Sequence, residues 1–250
     1  MSETVDVIIP LSDESKSNND ELRICLRSIE QHALDVGRVI VVTTQPPKWL
    51  SSDVSVFRVP DTELHNKDAN IINKVLRAIE HYNINDDFAF FSDDQCLLQD
   101  LRLKELPPIY NDRSKEVFLQ RYQPNRWVKR VINTFEFLES RGIYLDHNYE
   151  SHTPQRYNAS NLIQAMEGID YKTLPGFTIN TLFMGLCGIT DGVRQSKVKF
   201  THESNTPNVS INPNYQFCGY NDKGFLSGLR EELLTRFSQP SLYELSLQGL

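Results

Sequence analysis

The sequence lacks the features that mark a membrane-spanning or secreted protein. No apolar run approaches the roughly 20 residues that cross a bilayer. Residues 1–6 are acidic and lead into a short apolar run, without the basic start and long apolar stretch of a signal peptide. We therefore expect a cytoplasmic protein with no membrane partner.

Cysteine is scarce, with four residues in 250, and no two cysteines form a CxxC pair. This spacing argues against a zinc site and against a disulfide framework. Because all four lie in apolar surroundings, we expect buried thiols in a reducing compartment. The residues are Cys25, Cys96, Cys187 and Cys218.

An excess of positive charge is also missing, since the net charge is -7. Taken alone, this argues against broad nucleic-acid binding. The charge is uneven, however, because Arg102 to Arg130 contains eight Lys or Arg against three Asp or Glu. Such a basic island indicates an anionic partner at one face, and a solvated helix surface is the alternative interpretation.

The first hundred residues alternate between short apolar runs and amphipathic segments. Apolar runs at 5–11, 39–43, 54–59 and 88–91 predict strands, and apolar residues at helical spacing predict helices at 22–33 and 68–82. The order β-α-β-β-α-β predicts an α/β fold with a mostly parallel central sheet flanked by helices. In such sheets, ligands bind beyond the carboxyl ends of the strands.

The pattern of the remaining chain is more helical. It predicts helices at 125–141, 158–166 and 225–237, and a short helix or strand at 181–188. Neither an internal repeat nor a flexible linker is visible. We therefore expect a single compact domain over residues 1–250 with a helical C-terminal part.

Two adjacent carboxylates stand where the fourth apolar run ends. Residues 88–91 are apolar and are followed by Ser92, Asp93 and Asp94. Two neighbouring anions repel each other, and a divalent cation with oxygen ligands relieves that repulsion. Such a cation also binds diphosphate oxygens. The alternative is a turn with solvated aspartates.

A lysine stands at the start of the second predicted helix. Lys67 runs against the helix macrodipole, and an anion near the helix start would favour it. Asn66 or Asp68 is suited to cap this helix, and Lys74 shares a face with Lys67 two turns on. The alternative is a pair of ordinary surface lysines.

Two further polar segments offer acid–base and metal-binding groups. Glu150 and His152 are two residues apart, so on an extended segment they point the same way. Either could take a proton from an acceptor hydroxyl. His202, late in the chain, could complete a metal shell. A polar loop with exposed histidines is the alternative for both segments.

In this order, the features resemble nucleotide-diphospho-sugar transferases of the GT-A fold. His65-Asn66-Lys67, Phe91-Ser92-Asp93-Asp94 and Glu150-Ser151-His152-Thr153-Pro154 resemble small phage-encoded glycosyltransferases, and distantly the Stealth-type sugar-phosphate transferases. The resemblance covers residues 5–237. It implies a Rossmann-like nucleotide-sugar-binding half over 1–106, an acceptor-binding half over 107–250, and a Mn²⁺ or Mg²⁺ cofactor.

The resemblance also implies roles for individual residues. The usual Asp-x-Asp motif is replaced here by Ser92-Asp93-Asp94, and we expect Asp94 to meet the metal together with His202. Glu150, His152 and Asp94 would be catalytic. The expected nucleotide-sugar-binding residues are Pro10, Leu11, Ser12, Thr43, Asn66, Lys67, Asn70, Lys74, Ser92 and Asp93.

Phage relatives of this kind add glucose or arabinose to hydroxymethylated cytosine in DNA, and the basic island fits such an acceptor. Cations would meet phosphates, and aromatic side chains would stack on an extruded base. A polysaccharide or lipid-linked saccharide is an alternative acceptor, and a non-catalytic nucleic-acid-binding protein is an alternative of another class. A nucleotidyltransferase is disfavoured, because residues 12–15 are acidic and lack glycine. The expected acceptor-binding residues are Arg121, Tyr122, Arg126, Lys129 and Arg130.

Overall fold

The computed structural model describes residues 4–13, 15–111, 113–121, 123, 125–200, 211–212 and 214–245. The strands are, in chain order, β1 (Val5–Pro10), β2 (Val36–Thr43), β3 (Val54–Arg58), β4 (Asp87–Phe90), β5 (Gln95–Leu97), β6 (Ile109–Tyr110), β7 (Gln155–Asn158), β8 (Val193–Arg194), β9 (Lys197–Phe200) and β10 (Phe217–Tyr220). The helices are α1 (Asp20–His32), α2 (Lys67–Tyr82), α3 (Lys115–Arg121), α4 (Arg126–Ser140), α5 (Ala159–Met166), α6 (Ile179–Leu186), α7 (Asp222–Gly224) and α8 (Arg230–Arg236).

A five-stranded sheet with the order β3-β2-β1-β4-β7 forms the centre of the fold. The first four of these strands are parallel, and β7 pairs antiparallel with β4. The predicted α/β class with a mostly parallel sheet and flanking helices is confirmed. The GT-A family within that class stays a prediction.

Alternate strand residues pack on opposite faces of this sheet. Ile8 and Phe88 face a core that is covered by α2, α5 and α6. Val7, Ile9 and Ala89 face a second core that is covered by α1. Because both faces are buried at the centre of the sheet, residues 7–10 of β1, 39–42 of β2 and 88–90 of β4 are continuously apolar, whereas β7 alternates buried and half-buried residues.

A second sheet with the order β5-β10-β9 stands beside the loop that follows β4. β5 pairs antiparallel with β10, and the backbone N–H of Tyr220 donates to the carbonyl of Asp94 at 3.2 Å. Through β7 and β10, residues beyond 107 therefore contribute to both sheets. The Asp93–Asp94 loop is held between the two sheets.

Two predicted helical segments differ in detail from the structure. Residues 181–188, predicted as helix or strand, belong mostly to α6. The helix predicted over 225–237 is interrupted at Phe225–Leu229, where Gly228 has a φ of 105°, and regular helix resumes only at Arg230. Glycine adopts this backbone conformation readily, so it allows the kink.

All four cysteines are free, as the sequence predicts. Cys25, Cys96 and Cys218 are buried, and burial is the main cause that raises the pKa of Cys25 and Cys96. Cys187 is only half-buried. Among the residues described, no helix combines the length and apolar composition that crossing a bilayer requires.

Candidate functional site

A cleft of about 300 Å³ lies beyond the carboxyl ends of β1 and β4, beside the start of α2. We call it the strand-end cleft. It brings together most of the predicted nucleotide-sugar residues with Asp94 and His152. Its lining residues are Pro10, Ser12, Asp61, Glu63, Leu64, Lys67, Asn70, Ile71, Lys74, Ser92, Asp93, Asp94 and His152.

Four lining residues were missed by the sequence interpretation: Asp61, Glu63, Leu64 and Ile71. Asp61, Glu63 and Leu64 lie between the end of β3 and the start of α2. Because parallel strands end at the same edge of a sheet, the carboxyl end of β3 was itself a usable signal.

The two adjacent aspartates are half-buried in this cleft. Burial, and next the charge of Asp94, raise the pKa of Asp93 to about 7, while Lys67 acts in the opposite direction. The pair therefore holds a proton more readily than two solvated carboxylates would. Ionising both carboxylates is unfavourable because they are partly buried and repel each other, and a bound cation would relieve that repulsion.

His152 stands against Asp94 and a strand of the second sheet. Its Nε2 lies 3.0 Å from the carbonyl oxygen of Tyr220 and 3.4 Å from Oδ2 of Asp94. Because a carbonyl only accepts hydrogen bonds, Nε2 carries a proton, and the basic lone pair of a neutral imidazole is then on Nδ1.

Gly219 makes room for this histidine. A Cβ at position 219 would lie 2.4 Å from Cδ2 and 2.9 Å from the backbone oxygen of His152. We expect Gly219→Ala to displace the ring and to lower any turnover that depends on His152 by about 100-fold, since a misplacement of about 1 Å can have that effect. Turnover and the NMR resonances of the His152 ring measure the change.

Gly168→Ala is the control for the general effect of replacing a glycine by alanine. Gly168 has a φ of 72°, and a Cβ added there would meet nothing within 4 Å, so Gly168→Ala costs only local backbone strain. It should leave turnover and the His152 resonances unchanged. Unaltered resonances in Gly219→Ala would contradict the packing role.

Lys74 and Asn70 build the wall of the cleft. The Nζ of Lys74 lies 2.6 Å from Oδ1 of Asp61 and donates to the carbonyl of Leu11 at 2.8 Å, and the side chain is 2% exposed. Asn70 Oδ1 accepts from the backbone N–H groups of Thr62 and Glu63 at 3.0 Å. Lys74 therefore ties the loop before α2 to the end of β1, and Asn70 ties the same loop to α2.

Three predicted nucleotide-sugar residues do not line the cleft. The side chains of Leu11 and Thr43 are buried, because each lies at a strand end and faces the interior. Asn66 caps α2, where its Oδ1 accepts from Ala69 N at 3.2 Å and its Nδ2 donates to the carbonyls of residues 171 and 172. The capping prediction for Asn66 is confirmed, and nucleotide-sugar binding by these three residues stays a prediction.

Glu150 and His152 do not point the same way, which corrects the prediction from their spacing. His152 has a φ of 58°, so the segment is not extended and the alternation of side chains is broken. His152 lines the strand-end cleft, whereas Glu150 lines a different cavity. Glu150 Oε1 accepts from the backbone N–H of Thr181 at 2.9 Å, in the first turn of α6.

Burial raises the pKa of Glu150 to about 7. The unfolded chain binds this proton less tightly, so the free energy of unfolding should fall as pH rises from about 5 to 8. We expect Glu150→Gln, which keeps the acceptor oxygen, to remove roughly 2 kcal/mol of that fall. Urea unfolding at a series of pH values measures it, and an unchanged pH profile would contradict the burial of this carboxyl.

Part of the basic island lines a third cavity, of about 420 Å³. Arg126, Lys129 and Arg130, all predicted to bind the acceptor, lie there with His65. We call it the basic cavity. Arg130 pairs with Asp68 at 2.9 Å. The start of α2 lies between the two cavities, because Lys67 lines the strand-end cleft and His65 lines the basic cavity. His202, Tyr122 and the side chain of Arg121 lie outside the described residues.

The described residues contain no group of three His, Cys, Asp or Glu side chains arranged to hold a metal ion. Mg²⁺ and similar cations are, however, commonly bound by one or two carboxylates together with substrate phosphates. The hard oxygen donors of Asp93 and Asp94 fit that arrangement. No protein-family model matches the chain, and comparison with curated proteins finds no match either.

Proposed function

We propose that the protein is a glycosyltransferase that moves a sugar from a nucleoside-diphosphate sugar to an acceptor hydroxyl. The observation that carries this proposal is the strand-end cleft, which joins the cation Lys67, the carboxylates Asp93 and Asp94, and the imidazole of His152. A cleft at the ends of parallel strands is the usual ligand site of α/β sheets. A diphosphate needs positive charge, and glycosyl transfer needs a base; the cleft offers both.

The chain's own groups suit the diphosphate. Lys67 is the first residue of α2, so its ammonium and the positive end of the helix macrodipole face the same place. Mn²⁺ or Mg²⁺, held by Asp94 and Asp93, would neutralise further charge on the leaving nucleoside diphosphate. Ser92 also lines the cleft, together with Pro10 and Ser12 at the carboxyl end of β1.

His152 is the proposed base if the reaction inverts the sugar. Its Nδ1 would take the proton of the acceptor hydroxyl. Glu150, predicted as an alternative base, faces the other cavity and therefore does not share the cleft in this arrangement. His152 is for this reason the better candidate of the two.

For the acceptor, we propose DNA that carries a hydroxymethylated base. The basic cavity, with Arg126, Lys129 and His65, adjoins the start of α2 and suits phosphates of a nucleic-acid backbone. Arg130 is in part neutralised by Asp68, so its contribution is smaller. A polysaccharide without charged groups would not require these cations.

A thermal-shift screen tests the proposal. The protein is mixed with UDP, GDP or CDP, or with their sugars, each with and without Mn²⁺. We expect one nucleotide class to raise the melting temperature in a Mn²⁺-dependent manner, because a ligand that binds only the folded state stabilises it. No shift with any nucleotide, together with a large shift by DNA alone, would favour a non-catalytic nucleic-acid-binding protein instead.

A further inference from the structure

A cavity of about 530 Å³, separate from both others, combines cations with aromatic faces. We call it the aromatic pocket. It shares no lining residue with the strand-end cleft or with the basic cavity. The side chains that matter for its chemistry are Arg113, Trp127, Glu150, Arg194, Lys197 and Tyr215.

The pocket's framework is fixed by hydrogen bonds of the chain. Asn111 Nδ2 donates to the carbonyl of Glu150 at 3.0 Å, and Asn111 Oδ1 accepts from the backbone N–H of Arg113 at 3.0 Å. The backbone N–H of Gln195 donates to the carbonyl of Tyr110 at 2.9 Å. Strand pairing of β6 with β8 thus places Arg194 beside this wall.

The aromatic faces belong to two different elements. Trp127, in the first turn of α4, is half-buried and makes a T-shaped contact with Phe118 with ring centroids 5.3 Å apart, while Tyr215 is exposed. Because both rings line the pocket and neither is fully buried, a flat heterocycle can reach them, and such heterocycles stack on aromatic side chains. Glu150 is the carboxyl group among the residues that line the pocket, and Arg113, Arg194 and Lys197 are the cations. The backbone N–H of Thr181 donates a hydrogen bond to Glu150.

We propose that the aromatic pocket binds a nucleotide, with the heterocycle on Trp127 and Tyr215 and the phosphate at Arg113, Arg194 and Lys197. The ligand is a flat heterocycle joined to a phosphate, from either a free mononucleotide or a single strand of nucleic acid. The inference does not depend on the proposed glycosyl transfer, because the pocket and the strand-end cleft share no residue.

Tryptophan fluorescence gives a readout that is local to this pocket. The chain has two tryptophans, and Trp49 lies elsewhere, under Arg23 at 4.5 Å. In Trp49→Phe, the emission therefore reports Trp127 alone. The titrants are CMP, AMP and an eight-residue thymidine oligonucleotide, in EDTA and without any nucleotide-sugar. Two partial ligands serve for comparison: ribose 5-phosphate, which lacks the heterocycle, and cytidine, which lacks the phosphate. We call them half-ligands.

We expect saturable quenching by the nucleotides or the oligonucleotide, and weaker binding of each half-ligand. Arg194→Gln, on an exposed strand, should weaken binding by about 10-fold through loss of a charge-assisted contact, whereas Arg77→Gln, at an exposed arginine of α2 that lines none of the three cavities, should not. Tighter binding of the oligonucleotide identifies a strand as the source, and tighter binding of a mononucleotide identifies the free nucleotide.

Three results would overturn the proposal: no quenching by any titrant, equal affinity for ribose 5-phosphate, or equal weakening by both arginine variants. Titration calorimetry of the unsubstituted protein and of Arg194→Gln gives the same comparison if Trp49→Phe does not fold. Failure of the strand-end cleft to bind nucleotide-sugars would leave all these outcomes unaffected, because neither metal nor sugar donor is present.

Discussion

Asp94→Asn should lower kcat/KM for the nucleotide-sugar by about 10²- to 10³-fold, the usual effect of removing one preorganised electrostatic group. The substitution keeps the size of the side chain but removes the charge that would face both a divalent cation and the His152 ring, 3.4 Å away. Release of nucleoside diphosphate from the donor found by thermal shift measures it. The Mn²⁺-dependent shift should disappear as well.

Asp86→Asn is the matched control, because Asp86 is exposed and stands just before β4, at the opposite end of that strand. It should leave turnover within about twofold of the unsubstituted protein. Lys67→Ala should weaken donor binding through the loss of one cation near the diphosphate. If Asp94→Ala and Lys67→Ala both retain full turnover, the assignment of the cleft to catalysis is wrong.

Lys74→Met should lower the free energy of unfolding by about 2–3 kcal/mol. Lys74 is buried and holds Asp61 and the carbonyl of Leu11, so its loss leaves an acceptor and a carboxylate without their cation. The effect stays below that of a fully buried pair because the Asp61 side chain is 32% exposed and can rehydrate. Urea denaturation measures the change.

A double-mutant cycle separates this pair from general effects of losing a lysine. Asp61→Asn alone should destabilise less than Lys74→Met, and the double variant should lose less than the two single losses added together. Lys48→Met, at an exposed lysine, is the control and should change stability by no more than about 0.5 kcal/mol. Strict additivity of the two substitutions would show that the ion pair contributes nothing.

Four strands of the central sheet were predictable because they are largely apolar, whereas β7, which alternates buried and half-buried residues, was not predicted. Residues 7–11 and 88–91 are continuously apolar, and the helices between them have apolar residues at helical spacing. The same regularity placed Ser12, Lys67 and Asp94 at one edge of the sheet, where the cleft is found. Local pattern and topology rules were sufficient for this part.

Side-chain direction was not predictable where the backbone leaves regular structure. The left-handed conformation of His152 separates it from Glu150, and a period-two argument has no means to anticipate such a residue. Lys74 lies on the helix face expected of it, yet its ammonium turns inward to Asp61, a contact between segments 13 positions apart. Long-range contacts such as Gly219 with His152 leave no mark in a local pattern.

The pairing of β10 with β5 has a consequence for biosynthesis. The Tyr220 carbonyl orients the His152 ring, and the Tyr220 N–H fixes the backbone at Asp94. A nascent chain that has left the ribosome only as far as β7 can complete the central sheet but cannot yet align these two groups. The polypeptide must therefore be translated beyond β10 before His152 and the backbone at Asp94 can be fixed at the edge of the central sheet.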